Sequence, residues 1–266
     1  MNIDIFIPVR LESKRLPKKH LEIINGITLI EHLVNRLKKV KKIGKIIICT
    51  TNKNADNELV DFLIQKNILY FRGSEKDILK RFIDAAEQFG TDIIIDIEGD
   101  KLYTEPKFVD NIISEIENND YDFIIGNDSS DVFNPNYLFH GIIPTAVKVS
   151  ALKKIYLLTN HQNKETGYKE IFINSDNINK KFYVFNSKLE IPSELRLTID
   201  YPEDITFAKE IFKYLDEDYT YQDIVNLIKD KPQLLNIIEN INSKWLTNYK
   251  SEMKKIPTSK NYEKKL

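Results

Sequence analysis

The residues with the most chemical content stand near the start of the chain. After an apolar run that ends IFIPV, the segment RLESKRLPKKHL over 10–21 gathers Arg10, Lys14, Arg15, Lys18 and Lys19. Arginine offers a planar fork of donors and lysine a point charge, and both suit a polyphosphate. A solvated basic loop would have the same composition. Position favours the chemical reading, because the cluster follows directly on a strand, where open α/β sheets hold their ligands. The chain has 8 glycines, and none of their spacings makes GxGxxG or GxxxxGK[ST], so neither a dinucleotide loop nor a Walker loop is expected. A bound nucleoside triphosphate would have to be held largely by side-chain cations.

Two carboxylates end apolar runs. Asp100 follows DIIIDIEG (92–99), and Asp200 follows LRLTI (195–199). In a parallel sheet both could stand at one edge. Hard oxygen ligands of this kind suit Mg2+, which takes one or two protein carboxylates and completes its shell with phosphate oxygens and water. Each also has a local explanation. Gly-Asp is ordinary turn chemistry, and Asp200 and Asp204 flank a helix start at Pro202, where acidic residues are favoured. In FRGSEKDILKRF (71–82), Ser74 and Asp77 have capping spacing, and Asp77 and Arg81 are four apart and could pair. The same loop could recognise a base or a phosphate. His20, His32, His140 and His161 show no HxH or HxxxH spacing, which disfavours zinc. No GxSxG elbow is present. The single cysteine, Cys49 in IIICTT, allows no intrachain disulfide and reads as a small core hydrophobe.

The elements that must position these groups follow from the apolar periodicity. Strands are expected at 3–9, 45–50, 68–71, 92–97 and 122–126. Helices are expected at 28–40 (with Thr28 as N-cap), 54–66, 75–89 and from Pro106 to about 118. That alternation implies a parallel sheet with helices on both faces. Beyond it the pattern loosens: strands at 142–149, 182–186 and 196–200, with helices near 150–158, 202–215, 220–229 and 232–242. A single domain is expected over 1–245, with a second-half insertion at about 127–195 for acceptor binding or dimerisation. Residues 246–266 read as a basic, flexible tail.

Composition narrows the partners. Lys and Arg number 39 against 40 Asp and Glu, a net charge of −1, so the basic face of a nucleic-acid binder is not expected. At 42% hydrophobic and 30% charged residues the chain can bury a full core. No apolar run is long enough for a membrane helix. The N-terminus MNIDIFIPVR lacks a basic n-region and carries Asp4 in its first apolar stretch, so a signal peptide is not expected and the cytoplasm is the default location. The abundance of Lys, Ile and Asn suggests an AT-rich bacterial genome.

IPVRLESKRLPKKHL (7–21) resembles the IPAR-x-x-S-x-RLPGK-x-L signature of the cytidylyltransferases that activate acidic sugars, among them the CMP-Kdo and CMP-sialic acid synthetases. TLIEHLVNRLKKVKKIGKIIICTT, FRGSEKDILKRF, Gly99-Asp100 and LRLTIDYPEDITFAKEIF resemble one branch more closely, the spore-coat polysaccharide biosynthesis protein F family. The resemblance spans roughly residues 3–240. It implies a Rossmann-like, GT-A-like three-layer nucleotidyltransferase fold with a mostly parallel sheet, and Mg2+-dependent transfer of CMP from CTP with release of pyrophosphate.

On that template Pro8, Arg10, Ser13, Arg15 and Lys19 fall at the triphosphate, with Ser74 and Arg81 near the nucleotide. Asp100 falls on the metal-binding aspartate and Asp200 on a second carboxylate beside it. Arg15, Lys19 and Asp100 are the expected catalytic residues. Lys101, His140 and Lys169 are the candidate contacts for a small anionic acceptor. Related cytidylyltransferases are commonly dimers, which makes a homodimer the expectation. The sequence departs from the signature at Lys18, where the family has glycine, and at Lys101-Leu102-Tyr103-Thr104-Glu105-Pro106, where the branch commonly has Cys-Pro-Leu-Ile-Asp-Pro. Two rival readings stand beside this one. A nucleotide-sugar glycosyltransferase would use an Asp-x-Asp pair, present as Asp120/Asp122 and Asp216/Asp218. A degenerate homologue would bind nucleotide without turnover.

Overall fold

The computed structural model describes residues 1–126, 141–158, 168–183, 192 and 194–253. Nine strands are named in chain order: β1 (Ile3–Pro8), β2 (Ile23–Ile24), β3 (Ile27–Thr28), β4 (Ile46–Thr51), β5 (Tyr70–Gly73), β6 (Ile93–Asp96), β7 (Phe123–Gly126), β8 (Thr145–Lys148) and β9 (Lys180–Tyr183). The helices are α1 (Leu29–Leu37), α2 (Asn57–Gln65), α3 (Ile78–Phe89), α4 (Pro106–Asn118), α5 (Val149–Leu158), α6 (Tyr168–Asn174), α7 (Pro202–Ile211), α8 (Tyr221–Asp230) and α9 (Asn236–Met253).

Seven strands form one sheet in the order β5-β4-β1-β6-β8-β7-β9. β5, β4, β1 and β6 are mutually parallel, β8 runs against both β6 and β7, and β9 is parallel to β7. The expected βα alternation through residue 126 is therefore observed, and the reversed strand β8 makes the sheet mostly rather than wholly parallel. Strands buried on both faces explain why the sequence reads as continuous apolar runs. In β1, Ile5 and Ile7 face one core with α1, α2, α4, α7, α8 and α9, while Phe6 faces the other with α3, α5 and α6.

Local chemistry fixes the boundaries. Thr28 caps α1 in a reciprocal capping box with Glu31. The β2–β3 hairpin, not anticipated, turns on Asn25-Gly26, both at positive φ, the usual signature of a two-residue hairpin. Two expectations need correction. Residues 196–200 are buried but join no ladder; their described backbone tie to the sheet region is Ile199 N–H donating to the Asp100 carbonyl at 3.0 Å. The last helix does not end near 242. It runs to Met253, so the first part of the supposed tail from 246 is helical, because Ile238, Ile241 and Trp245 repeat at helical spacing and are buried in the core.

Candidate active site

The carboxyl edge of β1, β4, β5 and β6 collects most of the predicted residues. The loop leaving β1 is braced locally: Leu11 N–H donates to Asp56 Oδ1 at 2.7 Å, and Lys18 N–H closes back on the Leu11 carbonyl at 2.9 Å. Ser13 turns its hydroxyl inward as an acceptor for Leu16 N–H at 3.3 Å, a loop-shaping role. Lys18 sits at φ 57, the left-handed region, which explains why the related signature carries glycine there. Its ammonium pairs with Glu58 at 2.5 Å, with both side chains exposed.

Lys19 and Arg15 converge on the two carboxylates. Lys19 is buried, and its Nζ donates to Asp100 Oδ2 at 3.0 Å, to Asp200 Oδ1 at 3.3 Å and to the Ile199 carbonyl at 2.7 Å. Arg15 Nη2 donates to the same Asp200 Oδ1 at 2.5 Å, and its guanidinium lies 5.6 Å from the Tyr201 ring centroid. The Trp245 indole N–H takes Asp200 Oδ2 at 2.8 Å. Gly99 makes this closeness possible: a Cβ there would lie 2.8 Å from both His20 Nε2 and Val9 Cγ2.

The electrostatics differ between the two aspartates. Burial pushes the Asp100 carboxyl up, Lys19 opposes this, and Asp200 and Glu98 push it further, leaving it raised. Burial also works against the Asp200 charge, but Lys19, Arg15, Arg196 and the Trp245 hydrogen bond outweigh it and hold that carboxyl low. Burial pulls the Lys19 ammonium down, and the two carboxylates more than restore it.

This donor set fits one hard cation. Mg2+ needs one or two carboxylates alongside phosphate oxygens and water. Asp100 is a quarter exposed and accepts a described side-chain donor at Oδ2, whereas both Asp200 oxygens already accept protein donors. Among the described residues no group of three or more His, Cys, Asp or Glu forms an all-protein metal cage.

Two further groups flank this centre. Arg81 Nη1 donates to the Ser74 carbonyl at 2.9 Å, rather than pairing with Asp77 as expected; Asp77 instead caps α3 by accepting Lys80 N–H at 3.0 Å. Ser74 is therefore not the cap. Burial lowers the Arg81 pKa, and the charge of Arg10 adds to that effect, so the two predicted arginines share one neighbourhood. Pro8 stands opposite Cys49, a residue whose thiol the Arg81 charge also reaches. On the other side, Lys101 and Lys169 meet on Glu98, at 2.9 Å and 2.8 Å. Lys169 also pairs with buried Asp96 at 3.0 Å, and Tyr168 hydroxyl donates to the same carboxylate. The protein packed around Glu98 disfavours its charge, but the two lysines prevail and hold its carboxyl well below the usual range. His140 lies outside the described residues.

Glu98, Arg196 and Trp245 escaped the sequence reading. Arg196 Nη2 bonds Asp204 Oδ1 at 2.5 Å, and Asp204 Oδ2 accepts the N–H groups of Asp200 and Tyr201 at 2.7 and 2.8 Å. The expected helix-start role of Asp204 is thus observed, and it also anchors the backbone of Asp200. The Asp-x-Asp pairs stand elsewhere. Asp120 and Asp122 precede β7 at the amino edge of the sheet, with Asp120 on Lys148 at 3.0 Å, and Asp218 pairs with Lys39 beyond the end of α1 at 2.7 Å.

A mostly parallel sheet in this order, with cations and carboxylates gathered at the carboxyl edge, defines a Rossmann-like nucleotidyltransferase. The chain belongs to the cytidylyltransferase family, whose model matches residues 5–227. An uncharacterized protein of Methanocaldococcus jannaschii is 29% identical over 245 residues, covering 92% of this chain and 97% of that one. The spore coat polysaccharide biosynthesis protein SpsF of Bacillus subtilis is 26% identical over 247 residues, covering 87% of this chain and 96% of that one. The solved structure of a cytidylyltransferase from Leptospira borgpetersenii superposes with a TM-score of 0.74 at 25% identity, covering 88% of this chain and 97% of that one. Among the described residues no helix is long and apolar enough to cross a membrane.

Proposed function

We propose that the protein transfers CMP from CTP to a small anionic acceptor, with Mg2+, in the synthesis of a surface polysaccharide precursor. The convergence of Arg15 and Lys19 on the Asp100–Asp200 pair carries this reading, since it gathers N–H donor cations and carboxylates at the strand ends, where a triphosphate would lie. An acceptor oxygen attacks the α-phosphorus, the bond from that phosphorus to the bridging oxygen breaks, and pyrophosphate leaves. The work is positioning and charge stabilisation rather than covalent catalysis by the protein. Arg15 and Lys19 hold the leaving pyrophosphate, and in doing so exchange Asp200 for phosphate oxygens. Arg10 serves the triphosphate with them, and Ser74 and Arg81 lie near the nucleotide. Asp100, with Asp200 beside it, would hold Mg2+, which would supply neutralisation of charge on the phosphates.

Lys101 and Lys169 are the acceptor's counter-charges. Both ammoniums are mostly buried and share one half-exposed glutamate, so an arriving carboxylate or phosphate meets two cations already in place. The reading places the enzyme in the cytoplasm, with its CTP supply, as a homodimer. Thermal unfolding with CTP, UTP, GTP and ATP, each with and without Mg2+, tests the donor. A ligand at 100 times its Kd stabilises by about 2.7 kcal/mol, which shifts the midpoint of a chain this size by roughly 5–10 °C. A CTP-selective shift, followed by pyrophosphate release with sugar acids or phosphorylated acceptors, is expected. A shift with another triphosphate alone would replace the donor, and none with any would overturn the reading.

A further inference from the structure

We propose that Trp245, on the C-terminal helix α9, is a positioning residue of the transferase site: its indole N–H fixes the Asp200 carboxylate on which Arg15 and Lys19 converge. This rests on the function proposed above. Trp245 lies on α9, beyond residues 5–227, which the family model matches.

The geometry is specific. An indole N–H is a donor only, so at 2.8 Å from Asp200 Oδ2 it claims that oxygen. The carboxylate is then oriented with Oδ1 toward Arg15 at 2.5 Å and Lys19 at 3.3 Å. The ring itself is held. It is buried on the same helix face as Ile238 and Ile241, and the Arg196 guanidinium lies 5.4 Å from its centroid. α9 is tied to the strand-like segment around Asp200 at several further points. Arg196 Nε donates to Asn242 Oδ1 at 3.3 Å, Asn242 Nδ2 to the Glu194 carbonyl at 2.8 Å, and Asn248 Nδ2 to the Tyr201 hydroxyl at 2.7 Å. Lys244 Nζ lies 5.2 Å from the Tyr201 ring centroid. A helix serving only to cover the core needs apolar contacts alone. This one spends a tryptophan donor and two asparagines on the segment that carries Asp200.

The chain has 1 tryptophan, so emission excited selectively from the indole reports on the surroundings of Trp245, this contact among them. In the free protein, Asp200→Asn is expected to change Trp245 emission, and in the parent protein CTP, with or without Mg2+, is expected to change it saturably as Arg15 and Lys19 turn to phosphate. Trp245→Phe keeps an apolar ring and removes the donor. It is expected to lower kcat at least about ten-fold, the scale of one hydrogen bond to a charged group, with the CTP KM changed less than about three-fold. Trp245→Tyr, which retains a donor, is expected to recover part of that loss. A folded Trp245→Phe protein with parental kcat would reduce Trp245 to packing and overturn the proposal. So would parental emission unmoved by CTP at concentrations that shift the thermal midpoint, a test that stands if the Phe variant fails to fold. If no triphosphate shifts the midpoint, the transferase reading itself falls, and the role assigned to Trp245 falls with it.

Discussion

Lys19 and Asp200 are 181 residues apart in the chain, and the Lys19 ammonium stands 3.3 Å from Asp200 Oδ1 while also binding Asp100 at 3.0 Å. One buried cation thus offsets two carboxylates. Removing one partner of a buried ion pair typically costs about 3–5 kcal/mol, because the other charge is left uncompensated. Lys19→Met is therefore expected to lose about 3 kcal/mol or more of unfolding free energy in urea, beyond its loss of turnover. Lys19→Arg should regain stability only in part, since a rigid planar fork replaces a point charge held by three oxygens. A loss below about 1 kcal/mol in Lys19→Met would show that the pair is not desolvated as described.

Arg15 offers the contrasting case. Its side chain is 37% exposed, so its pairing with Asp200 is screened and contributes at most about 1 kcal/mol to stability. Arg15→Ala is expected to keep its thermal midpoint within a few degrees. Turnover should fall by about 10²-fold or more, the scale of one preorganised charge contact in a transition state. Asp100→Asn should show a similar loss of turnover. Steady-state pyrophosphate release decides both, and parental rates in either folded variant would remove these residues from the chemistry.

The legibility of this protein from its sequence has a physical boundary. Strands buried on both faces leave apolar runs, so β1, β4 and β6 and the helices between them are readable locally. Arg15, Lys19, Asp100 and Asp200 were readable as residue types at strand ends, but their meeting depends on contacts across 81 and 181 residues, which spacing does not encode. Glu98 is not legible as a site residue from spacing, because its partner Lys169 comes from a distant helix. Trp245 sits in KWLTNYK, a stretch whose charge suggests a solvated tail; only Ile238 and Ile241, two turns and one turn earlier, show that the helical spacing continues. The 196–200 segment reads as a strand because burial, not ladder pairing, produces its apolar pattern.

Acceptor recognition can be separated from nucleotide binding through Lys101. Lys169 is a poor probe, because its loss would leave buried Asp96 without its described cation partner. Lys101 pairs with Glu98 alone among the described ion pairs, and Glu98 retains Lys169 when Lys101 is removed. Lys101→Ala is expected to raise the acceptor KM about ten-fold or more, as one charge-assisted contact would, and to leave the CTP KM within about two-fold. Equal effects on both constants would move Lys101 away from the acceptor.

His20 gives the fold a pH dependence with a definite sign. It is buried beneath Gly99, and its Nδ1 has no described hydrogen-bond partner. Burial first, and then the charge of Lys19, lower its pKa well below the ordinary 6.5. The folded protein therefore declines a proton that the unfolded chain accepts, so this contribution to stability is complete above pH 6.5 and falls as the pH drops below it. The fall is about 1.4 kcal/mol per pH unit until the folded value is reached. His20→Leu should flatten that part of the stability profile between pH 6.5 and 5.5. Identical slopes in the two proteins, measured by urea unfolding, would show that His20 is not held neutral.

Lys18 tests whether the departure from the glycine signature alters the phosphate loop. Its backbone is left-handed at φ 57, a conformation that costs an L-residue about 1–2 kcal/mol. Glycine removes that cost but adds about 0.5–1 kcal/mol of unfolded-chain entropy. The Lys18–Glu58 pair has side chains 59% and 55% exposed, and such pairs contribute about 0–1 kcal/mol. The three effects nearly cancel, so Lys18→Gly is expected to stay within about 1 kcal/mol of the parent. Its turnover should also persist, because the ammonium is engaged by Glu58 rather than by the Asp100–Asp200 centre. Lys18→Val, β-branched at the same φ, should lose a further 1 kcal/mol or about that, seen as a drop of roughly 2–4 °C in the thermal midpoint. A Lys18→Gly protein that folds normally but loses most of its pyrophosphate release would instead place this lysine on the triphosphate, and the loop would be a cation richer than its glycine-bearing relatives.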